Sequence, residues 1–203
     1  MKKINFSILV VGLCLASCNS YKKIDQQPEK SGFVTSMNID QTHIEELDGI
    51  IQNDFQMIKS NLEGDLSGFF TVQTLSNYSD ENISSVLFEK ENFNSYMDHP
   101  NTYFCSYNYD LTKKKLIGFS DFFILNTAAD SSEFVDILLE NSTIKEDDII
   151  TGNRNDLINN SVFSIKQDSM IFSYGHYSIS AWSVGIAKIS VNKNKLTKYS
   201  FNK

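Results

Sequence analysis

The separation of helix-type and strand-type patterns along the chain limits its fold more than any other feature. Apolar residues recur at intervals of three and four between Ile44 and Leu62, which predicts one amphipathic helix over five turns. Asp40 or Thr42 would cap its start, and Gly64 would end it. Aromatic and β-branched residues then dominate three runs that predict strands, at 69–75, 82–88 and 102–109, with turns at 77–81, 98–101 and 110–115.

The second half of the chain repeats this separation. We predict a short helical stretch from Ser120 and a second amphipathic helix over 131–141, with Phe134, Ile137 and Leu138 on one side. A hairpin over 162–174, a strand over 186–191 and a helical turn over 195–201 follow. Because helices and strands do not alternate one for one, the sequence predicts an α+β fold, a mainly antiparallel sheet packed with two amphipathic helices.

The first eighteen residues predict a lipoprotein signal. Lys2 and Lys3 precede an apolar run of nine residues from Ile8 to Ala16. This run is too short to span a membrane, which takes about 20 residues. It ends in Leu15-Ala16-Ser17-Cys18, which resembles the bacterial lipobox. We therefore expect a signal peptide at 1–17, lipid on Cys18 and a flexible tether at 18–32; the alternative is a plain secretory signal with a chance cysteine.

Cysteine usage and charge restrict the mature chain further. With Cys14 removed and Cys18 lipidated, Cys105 is the remaining thiol, so an intramolecular disulfide is not expected and Cys105 is interpreted as a small buried residue. Cleavage removes two lysines, so 18 basic and 25 acidic residues become 16 and 25, a net charge of −9. This acidity argues against nucleic acid and anionic lipid as partners and favours a basic partner.

The sequence contains few residues in patterns typical of catalysis. Its three histidines, His43, His99 and His176, form no HxxxH pair, and GxSxG, P-loop and GxGxxG motifs are absent. The adjacent carboxylates at 80–81 and 147–148 are typical of a solvated surface. We expect no enzymatic activity, no metal and no cofactor.

One loop is a candidate binding site. Residues 175–185 place the only tryptophan, Trp182, among small and polar residues between two strands. Tryptophan and tyrosine are enriched in binding hot spots. Trp182, Tyr177, Ala181 and His176 are therefore the predicted ligand-binding residues; the alternative is that Trp182 covers the core.

Several segments, in order, resemble a known pair of extracytoplasmic domains of unknown function. They are 83–88 (ISSVLF), His99-Pro100, 106–111 (SYNYDL), 119–123 (FSDFF), 162–165 (VFSI) and 177–185 (YSISAWSVG). The same pair forms the outer part of the lysozyme-sensing anti-sigma factor RsiV and the N-terminal part of the peptidoglycan deacetylase PdaC. The resemblance covers about residues 33–202 and implies a non-catalytic α+β module with subdomains at 33–125 and 126–203.

For the anti-sigma factor, the family implies direct binding of lysozyme. This chain differs from the family in three ways: its N-terminus is a signal, not an anti-sigma segment; no deacetylase domain is expected; and Ala181-Trp182 stands where the family often has Pro-Tyr.

We therefore expect a lipid-anchored cell-envelope protein that recognises a lysozyme-type hydrolase or peptidoglycan. The alternative is a glycan-binding or scaffolding lipoprotein, with an envelope enzyme less favoured. Asn19 is not the aspartate that retains lipoproteins in the inner membrane, so the expected location is the outer membrane, facing the periplasm.

Overall fold

The computed structural model describes residues 33–62, 67–150, 152–181 and 184–200. The predicted signal, the tether, Cys18 and Trp182 lie outside the described residues. Residues 32–203 form one compact unit, to which all the described residues belong.

The first part of this unit is a five-stranded sheet with one long helix. Its elements are β1 (Phe33–Asn38), α1 (Glu45–Leu62), β2 (Gly68–Ser79), β3 (Ile83–Asn94), β4 (Asn101–Asp110) and β5 (Lys115–Leu116). The strands lie in chain order, β1-β2-β3-β4-β5. Only β1 and β2 pair in parallel, with α1 as their crossover.

The second part is a smaller sheet preceded by short helices. Its elements are α2 (Phe119–Phe122), α3 (Ala128–Glu140), a 3₁₀ turn (Glu146–Asp148), α4 (Asp156–Asn159), β6 (Val162–Ile165), β7 (Ser169–Tyr174), β8 (Ala187–Asn192) and α5 (Lys193–Leu196). The strands are antiparallel in the order β6-β7-β8. The α+β prediction with mainly antiparallel sheet is confirmed.

Helix α1 covers one face of the first sheet. Its apolar stripe places Leu47, Ile51 and Phe55 among the fully buried side chains, each of which contributes about 1.5–3 kcal/mol by leaving water. The ring of Phe55 meets Phe88 of β3 edge to face, with centroids 5.1 Å apart. The helix begins at Glu45; ahead of it, Thr42 donates its backbone N–H and its hydroxyl to Asp48, both at 2.8 Å.

Helix α3 builds the second core. Thr127 and Asp130 hydrogen-bond each other's backbone N–H groups, which fixes the start of the helix at Ala128, three residues before the predicted start. Its residues Phe134 and Leu138 are fully buried against a cluster that includes Phe163, Phe172, Tyr174 and Ile189 of the second sheet. The predicted apolar side of this helix is confirmed.

The two sheets are joined by side chains of the first sheet. Strand β6 pairs with β7 along one edge, and the carbonyl of Phe163 and the N–H of Ile165 lie on the other, outer edge of β6. Ser106 donates to Phe163 O at 2.6 Å, and Asn108 Nδ2 donates to the same oxygen at 3.0 Å. Ser85 Oγ accepts the N–H of Ile165 at 2.8 Å and donates to Asn108 Oδ1 at 2.6 Å. Side chains thus take the place of a neighbouring strand.

Some element boundaries differ from the sequence prediction. Strand β1 was not predicted, and β3 runs to Asn94 because the polar run 89–94 continues the pairing with β2 and β4. The predicted subdomain boundary at 125/126 separates the strands of the two sheets. However, Ile83, Phe122 and Phe123 from before this boundary belong to the second core. The division into subdomains stays a prediction.

Candidate functional site

The loop that follows β7 carries the predicted binding residues, and Gly175 lets it approach the first sheet. A Cβ atom at Gly175 would lie 2.6 Å from Thr102 O and 2.8 Å from Tyr103 Cα, closer than real Cβ contacts. Only glycine allows this backbone contact without movement of β4. Residues 175–186, named loop 175–186 below, therefore start from a fixed point on β4.

His176 fastens the loop to β4 by two hydrogen bonds. Its backbone N–H donates to Thr102 O at 2.9 Å, and its ring Nδ1 accepts the Thr102 N–H at 3.0 Å. A backbone N–H can be accepted only by an unprotonated nitrogen, so this arrangement requires the neutral ring. Burial and the nearby His99 both lower the pKa of His176, which favours that form. His176 was predicted to contact a ligand. In the structure its side chain holds the loop in position against β4.

Tyr177 is presented to solvent in an unusual backbone conformation. Its φ is 61°, in the left-handed region, and its side chain is 53% exposed. Its ring stacks on His99 with centroids 6.0 Å apart and planes at 26°, and its hydroxyl lies 3.0 Å from His99 Nε2. His99 was not among the predicted ligand-binding residues. The sequence feature that could have indicated a role for His99 was the His99-Pro100 pair, which is among the segments that carry the family resemblance.

The middle of the loop is pinned to the segment after the 3₁₀ turn. Ile149 and Ser180 form an antiparallel bridge, and Ile150 N–H donates to Ile179 O at 3.0 Å. Ile179 and Ser180 are buried. Ala181 is partly buried, and its carbonyl accepts the N–H of Val184 at 2.9 Å.

Apolar side chains concentrate at this loop. Of the nine exposed large apolar side chains in the described ranges, three are on the loop and one is on the segment bonded to it. We name them the apolar loop surface: Ile150 (54% exposed), Tyr177, Val184 (45%) and Ile186 (37%). These four side chains share one loop and the segment hydrogen-bonded to it, and exposed apolar side chains that form a contiguous patch are typical of an interaction site.

Other residues singled out from the sequence have mainly structural environments. Asp80 accepts the N–H groups of Asn82 and Ile83, so it orders a turn. Cys105, interpreted as buried, is partly buried against the α1 core, and burial raises the pKa of its thiol.

No group of three histidine, cysteine or carboxylate side chains in the described ranges is placed to hold a metal ion. No helix among the same residues is long and apolar enough to cross a membrane.

The fold has relatives among solved structures. A DUF3298 family protein from Bacteroides fragilis superposes with a TM-score of 0.52 at 14% sequence identity, over 78% of this chain and 65% of its own. This chain thus spans slightly less than two-thirds of that protein. A DUF3298 family protein from Pseudomonas aeruginosa matches with a TM-score of 0.48 at 13% identity, over 75% of this chain and 70% of its own.

In the sequence comparisons, no protein-family model matches and no curated protein is similar. The chain is therefore an α+β protein that shares its fold with the DUF3298 protein of B. fragilis. The resemblance to a domain of unknown function agrees with this structural neighbour from B. fragilis.

Proposed function

We propose that this chain is a non-catalytic cell-envelope binding protein, anchored by lipid on Cys18, whose apolar loop surface contacts a partner protein of the lysozyme type. The observation that carries the proposal is the concentration of exposed apolar side chains at Ile150, Tyr177, Val184 and Ile186. Burying them on a partner would gain about 25 cal/mol for each Å² removed from water.

The construction of the loop also supports binding. Gly175 and His176 tie its start to β4, and the contacts at 149–150 and 179–180 tie its middle. A loop fixed at two points loses little conformational entropy when it binds, which improves affinity. Tyr177 adds an exposed aromatic ring that His99 holds in one orientation.

Charge supports a basic partner. The full chain has a formal net charge of −7, and lysozymes are typically basic. Opposite charges accelerate encounter and are screened by salt. We expect the association rate with a basic lysozyme to fall several-fold between about 50 and 300 mM salt, since the Debye length then shortens from about 14 Å to about 6 Å.

Matched surface variants test the proposal. Val184→Asn on the loop surface should weaken binding of a chicken-type lysozyme at least tenfold in surface plasmon resonance. Val34→Asn, at a similarly exposed valine on β1, should leave it unchanged. Trp182→Ala should also weaken binding. No binding by the wild type, or equal loss in both valine variants, would overturn the hydrolase proposal.

Peptidoglycan is the alternative ligand, and the same variants separate it. Tyr177 stacked on His99 would offer its free face to a sugar ring. The loop would be assigned to the glycan if the wild type binds purified sacculi but not lysozyme. Val184→Asn should then lose binding to sacculi, whereas Val34→Asn should keep it. The anchor is tested independently, because labelling with radioactive palmitate should disappear in Cys18→Ser.

A further inference from the structure

A cleft lies away from loop 175–186, at the end of the first sheet where the turns after β2 and β4 face α5. It encloses about 550 Å³, within the range of pockets that hold small molecules. Its apolar lining comes from both sheets and from two helices: Ile83, Phe122, Ile165, Met170 and Leu196. All five side chains are buried in the fold, so the cleft floor is formed by the second core and its margin.

Two carboxylates form one side of the cleft. Asp80 accepts N–H groups from Asn82 at 2.8 Å and Ile83 at 2.9 Å through Oδ1, and the hydroxyl of Tyr78 at 2.8 Å through Oδ2. Burial raises the pKa of Asp80, but these hydrogen bonds and the charge of Lys193 outweigh it, so the pKa lies below its usual value. Asp80 is therefore ionised at neutral pH.

Asp110 lines the same cleft, and in the register of β3 and β4 it pairs with Ile83, whose N–H group Asp80 accepts. Its Oδ1 accepts the N–H of Lys113 at 2.8 Å and of Thr112 at 3.0 Å, and the Lys113 N–H is the main cause of its lowered pKa. Its Oδ2 is 3.2 Å from Lys113 Nζ. A carboxylate oxygen has two lone pairs, so Oδ2 can accept a second donor from a ligand.

Lys193 supplies positive charge on the α5 side. It is the first residue of α5, and its Nζ lies 5.2 Å from the centroid of the Tyr78 ring. Lys113, whose side chain is 65% exposed, adds a second ammonium at the rim. The charged lining thus consists of two carboxylates and two ammonium groups around an apolar floor.

We propose that this cleft binds a short zwitterionic peptide with apolar side chains, whose ammonium group meets Asp80 and Asp110 and whose carboxylate meets Lys193. A polyanion would meet the two carboxylates, and a polycation would meet the two lysines. An uncharged apolar ligand would leave these four charged groups desolvated without new partners, which is costly. A zwitterion offers both carboxylates and lysines a partner, and its side chains cover the floor. This site goes beyond the proposed function, because none of its residues lies on loop 175–186.

Blocked peptides test the charge assignment on the full chain. The probes are the 27 tripeptides of alanine, leucine and phenylalanine with free ends, together with their N-acetylated and C-amidated forms. Saturation-transfer-difference NMR should detect binding of free forms, and titration calorimetry should show at least fivefold weaker binding for either blocked form. Equal binding of free and blocked forms, or no binding by any of the 27, would overturn the proposal.

Substitutions locate the site. Thr112→Trp should fill the cleft and abolish binding, since the side chain at 112 lines it and the backbone N–H that holds Asp110 is kept. Thr143→Trp is the matched control, at an exposed threonine outside the lining. Near-ultraviolet circular dichroism confirms the fold of each variant. Unchanged binding in Thr112→Trp would refute the location.

The variant Lys193→Gln tests the orientation of the bound peptide in the cleft. Its backbone N–H, which donates to Asp168 O, is unaffected by the change. We expect this variant to bind free-acid peptides at least fivefold more weakly and C-amidated peptides as the wild type does. An equal loss for both forms would refute the pairing of the ligand carboxylate with Lys193.

Discussion

Two adjacent serines of β3 allow a controlled test of how the sheets are joined. Ser84 and Ser85 are both fully buried. Ser85 accepts the N–H of Ile165 and donates to Asn108, whereas Ser84 Oγ has no hydrogen-bond partner within the described residues. Replacing each by alanine removes the same atom from the same strand, so the difference between the two variants isolates the two hydrogen bonds of Ser85, one to the second sheet and one to Asn108 of β4.

The magnitude follows from the groups left behind. Ser85→Ala leaves the Ile165 N–H and Asn108 Oδ1 buried without these partners, and each unsatisfied group costs about 1–3 kcal/mol. We expect a loss of about 2–6 kcal/mol in the free energy of unfolding. Ser84→Ala removes a hydroxyl that was already unpaired, so we expect a change within about 0.5 kcal/mol or a gain in stability.

Urea denaturation followed by circular dichroism measures both values. For a chain of this size each kcal/mol corresponds to about 2–4 °C in Tm, so Ser85→Ala should melt roughly 4–24 °C lower. If the two variants differ by less than about 1 kcal/mol, the side chains of the first sheet do not hold β6 in the way described, and the argument fails.

Three further predictions concern the loop and the thiol. Gly175→Ala should cost about 1–3 kcal/mol, because its Cβ would press on Thr102 O, and the loss should appear in urea denaturation. The lowered pKa of His176 means that the unfolded state takes up its proton first, so stability should fall as the pH drops from above 6.5 through the folded-state pKa, and His176→Gln should flatten this dependence. Cys105 should react with an aromatic disulfide reagent far more slowly in the folded chain than in urea, since burial raises its pKa; equal rates would contradict this.

Periodicity predicted the elements whose apolar faces are regular. The helix with Leu47, Ile51 and Phe55 and the hairpin around the turn at 167–169 are confirmed, because both meet their cores along one continuous face. Strand β1 was missed because the polar tether before it and its mixed residues, FVTSMN, show no clear alternation. Its position depends on the parallel pairing with β2, which is a non-local interaction.

The loop between β7 and β8 was predictable from the sequence, but the contacts that hold it were not. The loop sequence indicated a small-residue turn with exposed aromatic character, and Tyr177 is exposed there. The contact of Tyr177 with His99 and the double hydrogen bond of His176 with Thr102 join residues more than 70 positions apart. Local patterns carry no information on such pairs. The cleft was missed for the same reason, since Asp80 and Asp110 come together only through strand pairing.

The outer edge of β6 also bears on how this chain can be divided. Because side chains of Ser85, Ser106 and Asn108 occupy that edge, a fragment that begins at residue 126 would carry a bare strand edge into solution. Bare edges pair with other chains and lead to aggregation. The second half should therefore be insoluble when expressed alone and be rescued by co-expression with the first half.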